Sequence, residues 1–308
     1  MLSLTIVAIL GSLPAVLARG EWLYSVDHTN NTLIRINGQT GEVVPVVNLS
    51  VPVMAPVAAL RLHQGSLYAL RYDFGVETRL IGIAPLTGTV FSDIEVTVSG
   101  SSVEFAEGLV STGDGLLIGF HTSVSGPFDS DAIGDLALDG AITNATSLAS
   151  NADLDEIAHD PLTGNIYNID GVFQVTSNLY LVEIAPASYV FQGSVFGGAY
   201  VPVDTDMSDG ELVGITGTTL YRIDPVTRAT LATIPLSVPG DYRGLSRTER
   251  DWNCAADFDG SGAVDGADLG LLLGLWGGCG VCVPDFNGDG FVDGADLGLL
   301  LGAWGACP

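Results

Sequence analysis

Residues 57–96 read "VAALRLHQGSLYALRYDFGVETRLIGIAPLTGTVFSDIEV", and residues 154–196 read "LDEIAHDPLTGNIYNIDGVFQVTSNLYLVEIAPASYVFQGSVF". The first divides into the runs "VAALRLHQ", "SLYALRY", "TRLIGIAPLTG" and "TVFSDIEV", the second into "LDEIAHD", "NIYNIDG", "NLYLVEIAPAS" and "YVFQGSVF". Each run is rich in Val, Ile, Leu and Tyr, and Gly, Pro, Asn and Asp cluster between the runs, which is the chemistry of turns between β-strands. Between Glu21 and Arg250 the separators "NGQTG", "PLTG", "DPLTG" and "DPVTR" recur and helical periods are few. A four-strand unit that repeats along the chain points to a repeat architecture.

Two further units begin near Val103 and Ala199. The segment "EWLYSVDH", "TLIRINGQTG", "EVVPVV" that starts at Glu21 supplies only the second to fourth strands, and the missing first strand stands at 241–249 as "DYRGLSRTE". A unit split between the two ends of an array is what a closed ring requires, because the last strand then pairs beside the first and hides both edges. The count is five units of about 45 residues. Residues 21–250 thus resemble a five-bladed β-propeller of the broad group with "LYxID…TG" repeats; a β-sandwich is the competing architecture. The expected fold class is mainly β, a propeller-like ring followed by a small α-helical calcium-binding unit.

The composition suits a filled core, with 47% hydrophobic and 15% charged residues over 308. Its 36 acidic residues face 10 arginines and no lysine, a formal charge of −26. Such a surface repels phosphate backbones and anionic lipid and favours cations, so nucleic acid is excluded as a partner. Residues 2–18, "LSLTIVAILGSLPAVLA", form a short apolar run ending in small residues, the pattern of a secretory signal over 1–18. The run lacks a preceding Lys or Arg, so an uncleaved anchor competes with it. No other run reaches the ~20 apolar residues of a spanning helix. The expectation is a secreted, extracellular protein, attached or not to a cell surface, with no transmembrane span once the signal is removed.

In a ring of this kind the first strand of each blade lines the central channel. Acids fall near that position in Glu104 and Glu107, Asp153, Asp155 and Glu156, Asp204 and Asp206, and Asp241. They could hold a cation, serve as an acid and base pair such as Asp155 and Glu107 if ~5–9 Å apart, or be solvated turn residues. His63 and His159 occupy equivalent places after first strands, and His28 and His121 end second strands; as turn residues spread round a ring they make no metal site. The ring carries no nucleophile elbow, phosphate-binding loop, zinc-protease helix or cysteine. A non-catalytic ring that binds a ligand or partner, a carbohydrate among the candidates, is the first reading, and a glycoside hydrolase or lyase the second.

The strongest motif lies outside the ring. "DFDGSGAVDGADLGLLLGLWG" at 257–277 returns 28 positions later as "DFNGDGFVDGADLGLLLGAWG" at 285–305. Counting Asp257 as position 1 places Asp259, Ser261, Gly262, Ala263, Asp265 and Asp268 at 3, 5, 6, 7, 9 and 12; the second loop has Asp285, Asn287, Asp289, Gly290, Phe291, Asp293 and Asp296 there. Alternate residues of a tight 12-residue loop turn their oxygens inward, position 7 offers a backbone carbonyl and glycine at 6 permits the bend, a hard-oxygen set that selects Ca²⁺. Two calcium sites are expected, the first weaker because Ser261 replaces an acid, and the crowded carboxylates couple metal uptake to folding. Each loop runs into a short helix, with Leu269, Leu272, Leu273 and Trp276 on one face of the first. Gly270, Gly274, Gly298 and Gly302 weaken these helices by ~1 kcal/mol each, a cost that close helix–helix contact would offset.

A calcium loop followed by one helix, duplicated, with Asp at position 12, resembles the type I dockerin over Asp257 to about Ala306, and "WGxC" resembles its GC-type variant. The resemblance implies a docking unit over 251–308, paired half EF-hands related by a pseudo-twofold axis, whose partner is a cohesin or another surface-anchoring protein. At positions 10 and 11, where cellulosomal dockerins often carry a hydroxyl pair, this chain has Gly266-Ala267 and Gly294-Ala295, which sets an ordinary cellulosomal cohesin in doubt. All four cysteines flank the repeats, and in an exported chain they read as disulfides. Antiparallel helices would join Cys254 to Cys307 and Cys279 to Cys282; pairing within each repeat, Cys254 to Cys279 and Cys282 to Cys307, is the alternative.

Overall fold

The computed structural model describes residues 22–50, 57–73, 77–85, 87–112, 115–121, 131–148, 152, 154, 156–160, 163–170, 176–198, 204–208, 210–247, 256, 263–278, 284 and 291–306. The leader expected over 1–18 and all four cysteines lie outside them.

Residues 22–247 form a five-bladed β-propeller, each blade a four-stranded antiparallel sheet. In blade 1 the C-terminal strand Tyr242–Arg247 pairs with Trp22–Asp27, in register Leu23 to Arg247 and Asp27 to Tyr242, followed by Thr32–Asn37 and Val43–Asn48. Blade 2 runs Val57–His63, Ser66–Asp73, Glu77–Ile83 and Val90–Glu95. Blade 3 runs Ala106–Ser111, Leu116–His121, Asp131–Leu136 and Ala141–Ser147, and blade 4 Glu156–His159, Ile166–Asp170, Asn178–Ile184 and Ala187–Ser194. Blade 5 is Asp204–Ser208, Glu211–Ile215, Thr219–Ile223 and Thr230–Pro235. The split first unit therefore closes the ring as expected. A short hairpin, Thr97–Val98 and Ser101–Ser102, extends blade 3 by pairing parallel to its outer strand; its four residues carry no sequence period that would announce it.

The core lies between blades. Leu60, Leu67 and Ile81 of blade 2 pack with Tyr24 and Leu33 of blade 1, while Leu70 and Leu80 from the opposite face of the same blade pack with Leu109 and Ile118 of blade 3. Val110 and Ile133 meet Ile157 and Ile166, Ile169 and Leu179 meet Leu212 and Ile223, and Val213 and Ile215 meet Leu23 and Ile36. Five clusters at five interfaces return to the starting blade. Because both faces of a blade are buried against neighbours, the inner and middle strands read as near-continuous apolar runs rather than alternating ones. The outer strands face solvent, as in the exposure of Ala187–Ser194 and Thr230–Pro235.

The glycine before the outer strand has a specific task in three blades. Gly41, Gly88 and Gly140 take φ of +71°, +66° and +84° in the turn before an outer strand, a region that disfavours a side chain. Each turn is pressed on the preceding blade: an added Cβ would stand 2.3 Å from the Pro235 carbonyl oxygen, 2.4 Å from that of Asn48 and 2.2 Å from that of Glu95, respectively. Their carbonyls accept hydrogen bonds from the backbone N–H of Ser237, Ser50 and Thr97, each 2.9 Å long. The glycine thus clips one blade to the one before it.

In the C-terminal repeats, α1 spans Gly266–Gly274 and α2 spans Gly294–Gly302. Ala263–Val264 of the first loop pairs antiparallel with Gly305–Ala306 beyond α2, and Phe291–Val292 of the second loop pairs with Gly277–Gly278 beyond α1. Each repeat therefore closes the other. Val264, Leu272, Val292 and Leu300 are fully buried with Ala256, and Leu269 and Leu297 pack against them.

Candidate metal centres and the ring channel

Closing a ring hides its outer chain ends but leaves every innermost strand with one unpaired edge facing the axis, and those backbone groups need partners. Arg61, on the first strand of blade 2, meets this need for carbonyls. Its side chain is 2% exposed. One terminal nitrogen, Nη1, donates to the carbonyls of Leu60, at 2.6 Å, and of Leu245 in blade 1; the other, Nη2, donates to those of Ile157 in blade 4 and Thr205 in blade 5, the latter at 2.8 Å. A planar guanidinium with forked donors is suited to bridging four fixed acceptors.

The channel acids serve the opposite groups. Asp206 is 5% exposed; its Oδ1 accepts from the N–H of Met207 and its Oδ2 from that of Arg247, both at 2.7 Å. Glu156 accepts from the N–H of Thr205 at 3.4 Å, and the Ser246 hydroxyl accepts from that of Leu62 at 2.8 Å. Beside them a cavity of about 10 Å³ lined by Arg61, Ser111, Asp206 and Arg247 has room for about one water. Asp241, by contrast, stands at the surface, paired with Arg243 at 2.8 Å and with His28 at 3.5 Å. Asp153 and Asp155, and with them the expected Asp155 and Glu107 pair, lie outside the described residues.

His28 stands in a turn as expected, whereas His63, His121 and His159 are the last residues of strands. His63 ends the inner strand of blade 2, 6% exposed, with Nδ1 3.1 Å from the Ser111 hydroxyl of blade 3. His159 ends that of blade 4, and its buried Nδ1 has no hydrogen-bond partner among the described residues. Burial holds both below the usual imidazole range; for His159 the Arg247 guanidinium adds to the effect and Asp160 and Asp206 oppose it. His121 faces the buried Asp131 at 3.2 Å.

Of the expected calcium ligands, Asp257, Asp259, Ser261, Asp285, Asn287 and Asp289 lie outside the described residues, while Ala263, Asp265, Asp268, Phe291, Asp293 and Asp296 lie within them. Among the described residues no group of three or more His, Cys, Asp or Glu could hold a metal. Positions 9 and 12 have a second duty as helix caps. Asp265 Oδ1 accepts from the N–H of Ala267 at 2.8 Å while Asp268 Oδ2 accepts from that of Asp265 at 2.8 Å; Asp293 and Asp296 repeat this at 2.7 and 2.9 Å. This reciprocal box is why each loop turns into a helix where it does. Asp268 and Asp296 are each 0% exposed. Two carboxylates withdrawn from water at equivalent places, each at the end of a loop of oxygen donors, fit a divalent cation, since a buried charge requires a counter-charge or several donors.

No protein family and no curated protein matches the chain. Solved structures do. The chain is similar to a nidogen/laminin complex chain at 12% identity, with 74% of this chain and 98% of that one covered and a TM-score of 0.46. It is also similar to Myxococcus xanthus glutaminyl cyclase, at 18% identity over 60% and 72% of the two chains with a TM-score of 0.43, and to an exo-β-1,3-galactanase from Phanerochaete chrysosporium, at 9% over 59% and 50% with a TM-score of 0.42.

The helices differ from expectation in one respect. An added Cβ at Gly270, Gly274, Gly298 or Gly302 meets nothing within 4 Å, so these glycines are not sites of close helix–helix approach. Nor is the apolar face wholly buried: Leu272 is, but Leu273 and Trp276, with Leu271, Leu275, Leu299, Leu301 and Trp304, are each about half exposed. Leu269 and Leu272 of the expected face do reach the core and Leu273 and Trp276 do not, because a nine-residue helix on a five-residue core has too little partner surface to cover the rest. Gly270→Ala and Gly298→Ala are each expected to raise the stability of the C-terminal repeats by about 0.5–1 kcal/mol; thermal melting checks this, and a loss on substitution would mean that something closes on these positions.

Proposed function

We propose that the chain is an exported binding protein whose ring presents a ligand surface and whose C-terminal repeats form a calcium-dependent docking unit of the type I dockerin kind. The observation that carries the docking reading is the pair Asp268 and Asp296, carboxylates at 0% exposure at position 12 of duplicated 12-residue loops. Asp257, Asp259, Ser261, Asp265 and Asp268 with the Ala263 carbonyl would hold one Ca²⁺, and Asp285, Asn287, Asp289, Asp293 and Asp296 with the Phe291 carbonyl the other. The ion would supply the positive charge that lets each loop close; it has no part in a reaction.

Docking itself follows from what the loops hold up. Two matched helices leave leucines and Trp276 and Trp304 half in water, the kind of patch that marks an interaction site. No Lys or Arg occurs in 251–308, so the complementary partner has an apolar floor and a basic or neutral rim, a cohesin or another surface-anchoring protein. With Gly-Ala at positions 10 and 11, contact rests on the apolar face rather than on hydroxyls. Surface-immobilised cohesin modules and cell-surface fractions are expected to retain the full chain in calcium and release it in chelator. A Trp276→Ser/Trp304→Ser double variant is expected to bind on the order of 100-fold more weakly. Retention unchanged by chelator, or by that variant, would refute docking through these helices.

A further inference from the structure

A crevice of about 340 Å³ opens on the rim of blade 3, between the extra hairpin and the blade's own strands. That is the lower end of the ~300–1,000 Å³ range of small-molecule sites. Val98, Phe105 and Phe120 give it apolar walls, and Glu104 and His121 are its ionisable lining. We propose that this crevice binds a small organic cation, an ammonium group carried on an aromatic or hydrocarbon body.

Three observations lead there. Glu104 is only partly exposed, yet it has no hydrogen bond or ion pair among the described residues, whereas acids elsewhere in the ring, such as Asp206, Asp93 and Glu77, are engaged. A half-buried carboxylate beside aromatic rings lowers its free energy by gaining a counter-charge, and an ammonium also gains from the ring faces. Second, no Arg or Lys lines the crevice, so nothing there would welcome an anion, and the chain's charge of −26 raises the local concentration of cations. Third, the wall is fixed in place. His121 is tied to Asp131, itself 1% exposed, at 3.2 Å, and its ring lies 4.7 Å from that of Phe105. A rigid wall spares the ligand part of the cost of ordering the site. The blade's additional hairpin is what makes the crevice, because Ser101 and Ser102 form its outer lip; no other blade carries such a hairpin among the described residues.

The inference rests on reading the ring as the ligand-binding part, and not on calcium. Calorimetry on the full chain, once with calcium and once with chelator, would use phenethylammonium, the neutral 2-phenylethanol, phenylacetate and D-galactose as probes. The amine is expected to bind in both conditions, the alcohol about tenfold more weakly, and phenylacetate and galactose not at all. Glu104→Gln is expected to weaken the amine about tenfold, and Ala145→Trp, at an exposed position of the outer strand, to block the crevice while leaving the melting point unchanged. Equal affinity for amine and alcohol, preference for galactose, no binding of the amine, or binding indifferent to both variants would overturn the proposal. Amine binding that survives while calcium titration fails removes the docking reading alone, and the reverse result removes the crevice alone.

Discussion

Arg61→Met is expected to lower the stability of the ring by about 3 kcal/mol, a fall of about 10 °C in its melting point. The balance is between two large terms. Burying a guanidinium costs several kcal/mol, and methionine, of similar length, removes that cost. The carbonyls of Leu60, Leu245, Ile157 and Thr205 remain, however, and they face the axis because they lie on the open edges of inner strands. Side-chain ion pairs can be exchanged whole for hydrocarbon, but backbone acceptors cannot be exchanged at all. Each one left without a donor costs ~1–3 kcal/mol before water enters, so the unpaired carbonyls outweigh the relief. Arg61→Lys should fall between, since an ammonium offers three donors from one point where a fork is required. A methionine variant that melts with the parent would show that the inner edges are satisfied in some other way.

Asp268→Asn and Asp296→Asn are each expected to weaken one calcium site on the order of 100-fold, equivalent to about 3 kcal/mol. The amide keeps the shape and still accepts from the backbone N–H of Asp265 or Asp293, so the helix cap survives and the lost quantity is charge. The first-loop variant should be the more damaging, since Ser261 already leaves that loop one acid short. Calcium titration followed by far-UV circular dichroism separates the effects: the expected result is one of the two sites weakened per substitution and reduced helix signal that high calcium restores. If both variants take calcium like the parent, position 12 is not a ligand.

The ring was legible in the sequence because its strands repeat and its turns carry a glycine that is there for a reason. Gly41, Gly88 and Gly140 recur because each must press its backbone on the preceding blade, and a requirement repeated at three interfaces leaves a repeated letter. The closure by Tyr242–Arg247 was legible for a similar reason, as one strand was missing at one end and surplus at the other. The role of Arg61 was not legible. A single arginine in an apolar strand has no period, and what makes it central is the convergence of three other blades on its guanidinium. The channel acids were found but read as solvated turn residues, cation ligands or an acid and base pair; Asp206 and Glu156 accept from backbone N–H groups, a demand invisible until the inner edges are placed. The blade 3 crevice escaped because Thr97–Val98 and Ser101–Ser102 are too short to show alternation. In the C-terminal repeats the two helices were readable from spacing, and the exposed leucines were not, because period alone does not say how much core there is to pack against.

The central claim is that the duplicated loops hold calcium and take their shape from it. Isothermal titration of Ca²⁺ into the chelator-stripped full chain, with thermal melting before and after, tests it most directly. The account predicts two ions bound per chain and a calcium-dependent transition assigned to the C-terminal repeats, with the ring transition unmoved; no heat of uptake together with an unchanged melting profile would contradict it.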